Sequence, residues 1–275
     1  MLILFGIMAA LFLLAERFFP LRSQPIFREG FFVDCVYVLL HYAMRVIFNG
    51  TIAVMISGIG QGYFPDSMFR ILANQPLGLQ IAAVLLVHDF IFYITHRLKH
   101  RWHWWWRLHE THHSSREMDF LSHVRFHPLE KILDRTIYLL PLLFFGVSEK
   151  AIFIWAGIDV FLGMLNHSNL NWRIGPLIYI FSGPEMHHWH HVRHAGIREC
   201  KYGGNFSIFD WIFGTAFLSR EKPGEYGVED AEYPQGDIMQ QFFYAFRPSK
   251  RSSKDLQQPL GDSKTNTREH ELVSD

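Results

Sequence analysis

The chain has 275 residues, 49% of them apolar and 16% aromatic, and its 26 basic and 26 acidic side chains cancel. That balance removes the electrostatic footprint nucleic-acid binding requires, so no nucleic-acid partner is expected. Cys35 and Cys200 are the only cysteines and are far apart, which leaves no disulfide framework or thiolate metal site and favours a reducing, cytosolic face.

In chain order, the first element is an apolar stretch from Leu2 to Phe19 that stops at Glu16, Arg17 and Pro20. It lacks the basic start and small-residue cleavage site of a secretory signal and reads as a retained membrane helix. A second apolar run covers 31–59 and a third 76–95, with Asp89 in the last third of the latter. Each approaches the ~20 residues needed to cross a bilayer. The Gly58, Gly60, Gly62 run does not sit between a strand and a helix, so it is not read as a nucleotide loop. Within 136–164, two shorter apolar runs are broken by Gly146, Val147 and Ser148, with Ser148 placed to cap the second. This predicts a helical hairpin that spans or enters the bilayer.

Basic residues follow the first helix (Arg17, Arg22, Arg28) and crowd after the third (Arg97, Lys99, Arg101, Arg107), with Arg70 alone between the second and third. By the positive-inside rule the first loop and the region beyond the third helix face the cytosol. Trp102, Trp104, Trp105 and Trp106 are expected to form an interfacial belt. After Arg220 the chain turns polar, and beyond Pro248 it loses apolar periodicity and is expected to be disordered. The expected fold is an all-α integral membrane protein: about three transmembrane helices plus a hairpin, with a cytosolic histidine-rich helical cap. It divides into membrane helices (1–95), a histidine-cluster region holding the hairpin (96–220) and a polar C-terminal segment (221–275).

Fifteen of the 17 histidines lie between His88 and His194. His96 and His100 are four apart, on one face of a helix. His109, His112 and His113 form an i, i+3, i+4 set, and His187, His190 and His191 repeat it. Ser182 and Glu185 have capping-box spacing with Pro184 between them, a helix start for the third set. Eight imidazoles exceed the four of a tetrahedral ion and suit two ions with open positions, though imidazole serves iron, copper, nickel and zinc alike.

The order HRLKH, HETHH and HHWHH resembles the fatty acid hydroxylase and sterol desaturase superfamily of membrane di-iron enzymes. RFHPLE (Arg125 to Glu130), HSN (His167 to Asn169), FDWIFGT (Phe209 to Thr215) and ERFFPL after the first helix are also similar to segments common there. The resemblance implies His96, His100, His109, His112, His113, His187, His190 and His191 as iron ligands, with His167 as a ninth. Some members carry a further histidine four residues before the ninth, where this chain has Gly163. It also implies two iron ions, O2 as co-substrate, and hydroxylation or desaturation of a C–H bond in a lipid drawn from the bilayer. No haem, flavin or iron–sulfur motif is visible, so electrons are expected from a separate reductase, cytochrome or ferredoxin.

Asp89 shares a face with His96 and His100, and reads either as an acceptor for an imidazole N–H or as a helix-pairing acid. Asn205 and Asp210 read as similar supports or as turn and cap residues, and His127 as a group near the ligands. His88, His103, His123, His188 and His194 fall outside the ligand spacing and read as supporting or interfacial. Two other classes remain: a membrane zinc-binding or transport protein without redox chemistry, and a metal-dependent lipid hydrolase.

Overall fold

The computed structural model describes residues 2–63, 70–194 and 198–247, so the expected disorder after Pro248 lies outside the described residues. Among these the chain is all helical, with no strand and only three isolated bridges. Helix α1 (Leu2–Phe18) turns Met8 and Phe12 inward, while Ile3, Ile7, Leu11, Leu14 and Phe18 line an exposed apolar stripe at helical spacing. Helices α2 (Phe31–Tyr63, over Phe31–Phe48) and α3 (Leu77–Arg101) are long and apolar enough to cross a membrane. With 17 residues α1 is about 25 Å long, roughly a turn short of a bilayer core. The glycines at 58, 60 and 62 fall inside α2.

After α3 the backbone opens at Trp102 (φ −94°, ψ 118°) and re-enters a helix, α4 (His103–His113). The hairpin is α5 (Pro128–Phe144) and α6 (Glu149–His167), longer at both ends than the apolar runs. Its turn is closed by Gly146 at φ +72°, where the N–H groups of Gly146 and Val147 donate to Leu143 and Leu142 carbonyls, both at 3.0 Å. Ser148 Oγ then accepts from Ala151 N–H at 3.3 Å, the cap its position suggested. Among the described residues three short helices follow: α7 (Pro184–His190), α8 (Ile208–Ile212) and α9 (Ile238–Tyr244).

The capping box expected at Ser182 and Glu185 does not form. Gly183 is the N-cap of α7, Ser182 N–H donates to Asn205 O at 2.8 Å, and Glu185 accepts from Ile174 N–H at 3.1 Å. The tryptophan run also divides. Trp102 and Trp104 are 46% and 53% exposed, whereas Trp105 and Trp106 are buried. Trp106 packs on Val228, Tyr233 and Tyr244, so part of the polar C-terminal segment is folded back onto α4.

One core joins α3, α5 and α6 through Val84, Leu139, Leu142, Ala151 and Trp155. Another joins α1 and α6 to the 3-10 turn Phe120–Val124. Lipid solvates apolar side chains as well as a neighbouring helix does, so packing alone sets register weakly, and polar ties set it here. Glu16 accepts from the N–H groups of Phe120 and Asn169 at 2.8 and 2.9 Å, joining ERFFPL to the HSN segment. Asp34 at the start of α2 binds Arg28 at 2.7 Å and Arg125 at 2.6 Å, and Arg28 also binds Asp119 at 2.6 Å. All four are buried, and two cations with two anions leave the cluster neutral. Gly30, at φ +80°, accepts from the Arg125 guanidinium through its carbonyl, and a Cβ there would collide with that guanidinium. Gly30→Ala therefore carries both backbone strain and a broken tie, an expected loss of about 1–3 kcal/mol. Thermal unfolding of the detergent-solubilised variant beside wild type measures it; an unchanged midpoint would mean Arg125 relaxes freely.

Candidate metal centre

The end of α3, all of α4, the end of α6 and α7 converge, and all nine histidines singled out in the sequence meet there. His96, His100, His109, His113 and His190 form one group and His112, His167, His187 and His191 a second, each with donor atoms within 4.8 Å of one another. All nine are buried. The groups touch where the rings of His113 and His191 stack at 4.4 Å.

The outer nitrogens explain the orientation. His96 Nδ1 lies 2.8 Å from Tyr202 O, His190 Nδ1 2.7 Å from Cys200 O, and His167 Nδ1 2.8 Å from Gly163 O. His112 Nδ1 lies 3.2 Å from Arg125 O, and His109 Nδ1 2.7 Å from Glu130 Oε1. A carbonyl or carboxylate only accepts, so each of these Nδ1 atoms carries the hydrogen and each Nε2 presents a lone pair. Those Nε2 atoms then face one another or the Nε2 atoms of His113, His187 and His191. His96 to His109, His109 to His113, and His190 to His96 are 3.1, 3.2 and 3.1 Å apart. His112 to His167, His167 to His187, and His187 to His191 are 3.2, 3.0 and 3.0 Å apart.

Facing lone pairs repel unless a cation or a proton lies between them. Between His96 and His109, His190 and His96, and His112 and His167 both outer nitrogens already hold the hydrogen, and burial holds His109, His112 and His190 well below the ordinary histidine range, so a second proton does not supply it there. Donors at right angles around an ion with bonds of about 2.1 Å stand about 3.0 Å apart. The donor set thus fits metal in both groups.

RFHPLE becomes legible residue by residue. Arg125 anchors α2 and offers its carbonyl to His112. Phe126 stacks on His112 at 4.0 Å, and Glu130 takes the His109 N–H. Glu130 is held in turn by Lys99 of HRLKH at 2.9 Å, which also binds Asp134 at 2.8 Å. His127 lies outside both groups: its Nδ1 accepts from Leu129 N–H at 3.2 Å, capping α5, and its Nε2 donates to Phe242 O at 3.1 Å.

Asp89 also departs from the imidazole role considered for it. Its carboxylate accepts the backbone N–H groups of Asn205 and Phe206 at 2.6 and 3.0 Å. Asp210 accepts from Tyr202 N–H, Gly203 N–H and Thr215 Oγ1–H at 2.6, 2.9 and 2.8 Å. The two acids shape the 200–206 loop, whose carbonyls orient His96 and His190, so they act one step removed from the imidazoles. Asn205 Nδ2 donates to Asp159 at 3.1 Å. Carboxylate support of an imidazole falls instead to Glu130, which lay within the RFHPLE segment without being singled out.

Two further residues escaped the spacing argument. Lys201 Nζ lies 3.0 Å from His187 Nδ1 and donates to Gly203 O at 2.5 Å, and burial pushes its amine down to about 8. His123 packs beside His167, rings 5.5 Å apart, and fills the space a side chain at 163 would need. Gly163 and His123 are complementary, which links the missing histidine at 163 to an imidazole arriving from another element. Of the others, His88 lies against Tyr138 and Trp155, His188 bonds Tyr226 Oη at 2.9 Å, and His103 and His194 are exposed.

Glu130→Gln keeps the shape but weakens acceptance from His109 and the partnership with Lys99. Metal affinity, measured by competition with a chelator, is expected to fall about 10- to 100-fold. Affinity equal to wild type would mean that the His109 N–H needs no charged acceptor.

Residues 81–215 match the family described as Fatty acid hydroxylase. The chain is 34% identical over 141 residues to an ornithine lipid hydroxylase of Rhizobium tropici, covering 51% of this chain and 42% of that one. It is 30% identical over 159 residues to an alkylglycerol monooxygenase of Caenorhabditis elegans, covering 58% and 31%. It is 24% identical over 151 residues to a methylsterol monooxygenase of Arabidopsis thaliana, covering 54% and 56%. The alignments thus span about half or less of these relatives' own lengths. No solved structure matches the chain significantly.

Proposed function

The chain belongs, by its residues 81–215, to the fatty acid hydroxylase family, and on that premise we propose that it is a membrane-bound non-haem di-iron oxidase that hydroxylates or desaturates a C–H bond of a lipid. The observation that carries this reading is the pair of touching, imidazole-only donor groups, whose lone pairs converge on two centres. His96, His100, His109, His113 and His190 would hold one iron, and His112, His167, His187 and His191 the other. Such a pair, when bound, supplies the reduction of O2 and the oxidation of the C–H bond. For hydroxylation, one oxygen atom enters the substrate and the other leaves as water, which takes two electrons and two protons per turnover. The chain has no redox motif of its own, so a separate reductase, cytochrome or ferredoxin delivers the electrons.

The protein's own residues bind, orient and exclude water. Glu130 and the carbonyls of Tyr202, Cys200, Gly163 and Arg125 fix ring direction and tautomer. A cavity of about 230 Å³ reaches His96, His112, His167 and His187, and its walls include Phe5, Met8, Val38, Phe92 and Val160. Its lining also includes Leu2 and Tyr42, both exposed at the surface, so it opens between α1 and α2. A lipid can reach the histidines by that route without crossing water.

In the membrane, α1, α2 and α3 cross, the α5–α6 hairpin enters, and the histidine groups and C-terminus lie on the cytosolic side. Arg17, Arg22, Arg97 and Arg101 carry the sidedness, because Arg28, Lys99 and Arg107 are engaged in ion pairs. The ligand set does not choose between a sterol, an acyl chain and an ether lipid; the shape of the cavity would set which C–H bond is presented to a bound metal pair.

Imidazole donors also suit zinc, and a zinc-binding or transport role is the reading one experiment separates. Protein purified without oxygen and loaded with iron is expected to hold about two irons per chain, with the Mössbauer signature of a nitrogen-rich coupled pair. Zinc that iron cannot displace, or a single ion per chain, would overturn the oxidase reading.

A further inference from the structure

His96, His109, His112, His167 and His190 each turn Nδ1 toward an oxygen that only accepts, and His187 does not. Its Nδ1 lies 3.0 Å from Lys201 Nζ, which also donates to Gly203 O at 2.5 Å. An ammonium has hydrogens to give and no lone pair, so it donates to that ring nitrogen as well. The carboxylates of Asp89 and Asp210, which shape the same loop, act favourably on its charge.

The fold holds Lys201 in this place against its preferences. Full burial is rare for a lysine, and its backbone sits at φ +54°, a region that residues other than glycine seldom take. Its N–H donates to Thr215 O at 2.8 Å, and Thr215 Oγ1 donates in turn to Asp210 at 2.8 Å. The loop thus fixes the direction of the side chain. Backbone strain of this kind persists where the surroundings over-determine it, and it gathers at functional sites.

A neutral imidazole whose Nδ1 accepts carries its hydrogen on Nε2. The His187 Nε2 lies 3.0 Å from Nε2 of His167, whose own Nδ1–H is committed to Gly163 O. The His187 N–H therefore donates to the His167 lone pair. Ligation through the His187 Nε2 would instead place the hydrogen on Nδ1, head to head with an N–H of Lys201. None of the five rings with oxygen acceptors meets that opposition. His187 is also on the wall of the cavity that opens between α1 and α2.

We infer that Lys201 is a positioning residue that makes His187 the weakest ligand of the second histidine group, leaving a coordination position open toward the lipid cavity. His112, His167 and His191 are then the firm ligands. Three protein donors and one open position is the pattern that separates catalytic from structural zinc sites, and the same logic applies here. The inference rests on the two-metal reading of the histidine groups and ranks the ligands within it.

The test titrates full-length, iron-loaded protein in detergent with a chelator, while Mössbauer doublets identify which iron leaves first. Lys201→Gln, whose amide oxygen can accept the Nδ1–H, is expected to hold the weaker iron about tenfold more tightly than wild type. The doublet of the other iron is expected to stay unchanged. A lysine that only packed, or that supported His187 as a ligand, would lose affinity on substitution. A fall or no change in Lys201→Gln would therefore overturn the inference. A second comparison leaves Lys201 in place: His187→Ala is expected to cost less affinity than His191→Ala, and equal losses would overturn the inference too. Failure of the oxidase reading shows separately, as zinc that iron does not displace, because the ranking is read from affinity with either metal.

Discussion

The structure turns on lone pairs that face each other across about 3 Å inside a dry interior. Five imidazoles have their outer nitrogens committed to oxygen acceptors, so their inner nitrogens bring unshared electron pairs to the same places. Burial removes protonation as an escape. A metal ion bound there would relieve that repulsion, and its binding would then contribute folding free energy to the helices that deliver the rings.

Much of the rest of the molecule keeps those outer nitrogens in place. The 200–206 loop presents two carbonyls, and the loop is itself held by Asp89 from α3 and by Asp210. Glu130 reaches His109 only because Lys99 neutralises it from α3. Arg125 turns its carbonyl to His112 while its guanidinium is locked to Asp34 on α2. Glu130 and Asp34 are thus each matched by a cation from another part of the chain. Such pairs add little net stability once desolvation is counted, and their consequence is register between helices that lipid would otherwise let slide.

The short motifs divide by how locally they act. ERFFPL and HSN are two halves of one joint: Glu16 accepts from Asn169, and Leu21 N–H donates to Asn169 O at 3.0 Å. The distinct C-terminal segment closes over α4, with Tyr37 of α2 donating to Gln241 at 2.9 Å. Trp106, which belongs to an interfacial belt by composition, instead stands against His100 and His113, with Arg198 over its face at 4.6 Å. The His-rich region is therefore walled by aromatic and cationic groups from distant parts of the chain.

What the sequence determined by itself was everything that repeats along a helix. The HxxxH and HxxHH spacings put imidazoles on one face because 3.6 residues make a turn, and all nine candidate histidines do converge. Gly146 and Ser148 punctuate the hairpin as their local chemistry demands. Partnership across elements was decided only by the tertiary structure. Asp89 shares a face with His96, yet its oxygens meet the amides of Asn205 and Phe206, while Glu130 arrives at His109 from another helix. The box at Ser182 failed for the same reason, since Ser182 and Glu185 were drawn to Asn205 and Ile174. A spacing records which face a side chain occupies. Which group waits opposite depends on how the helices cross, and no local pattern encodes that.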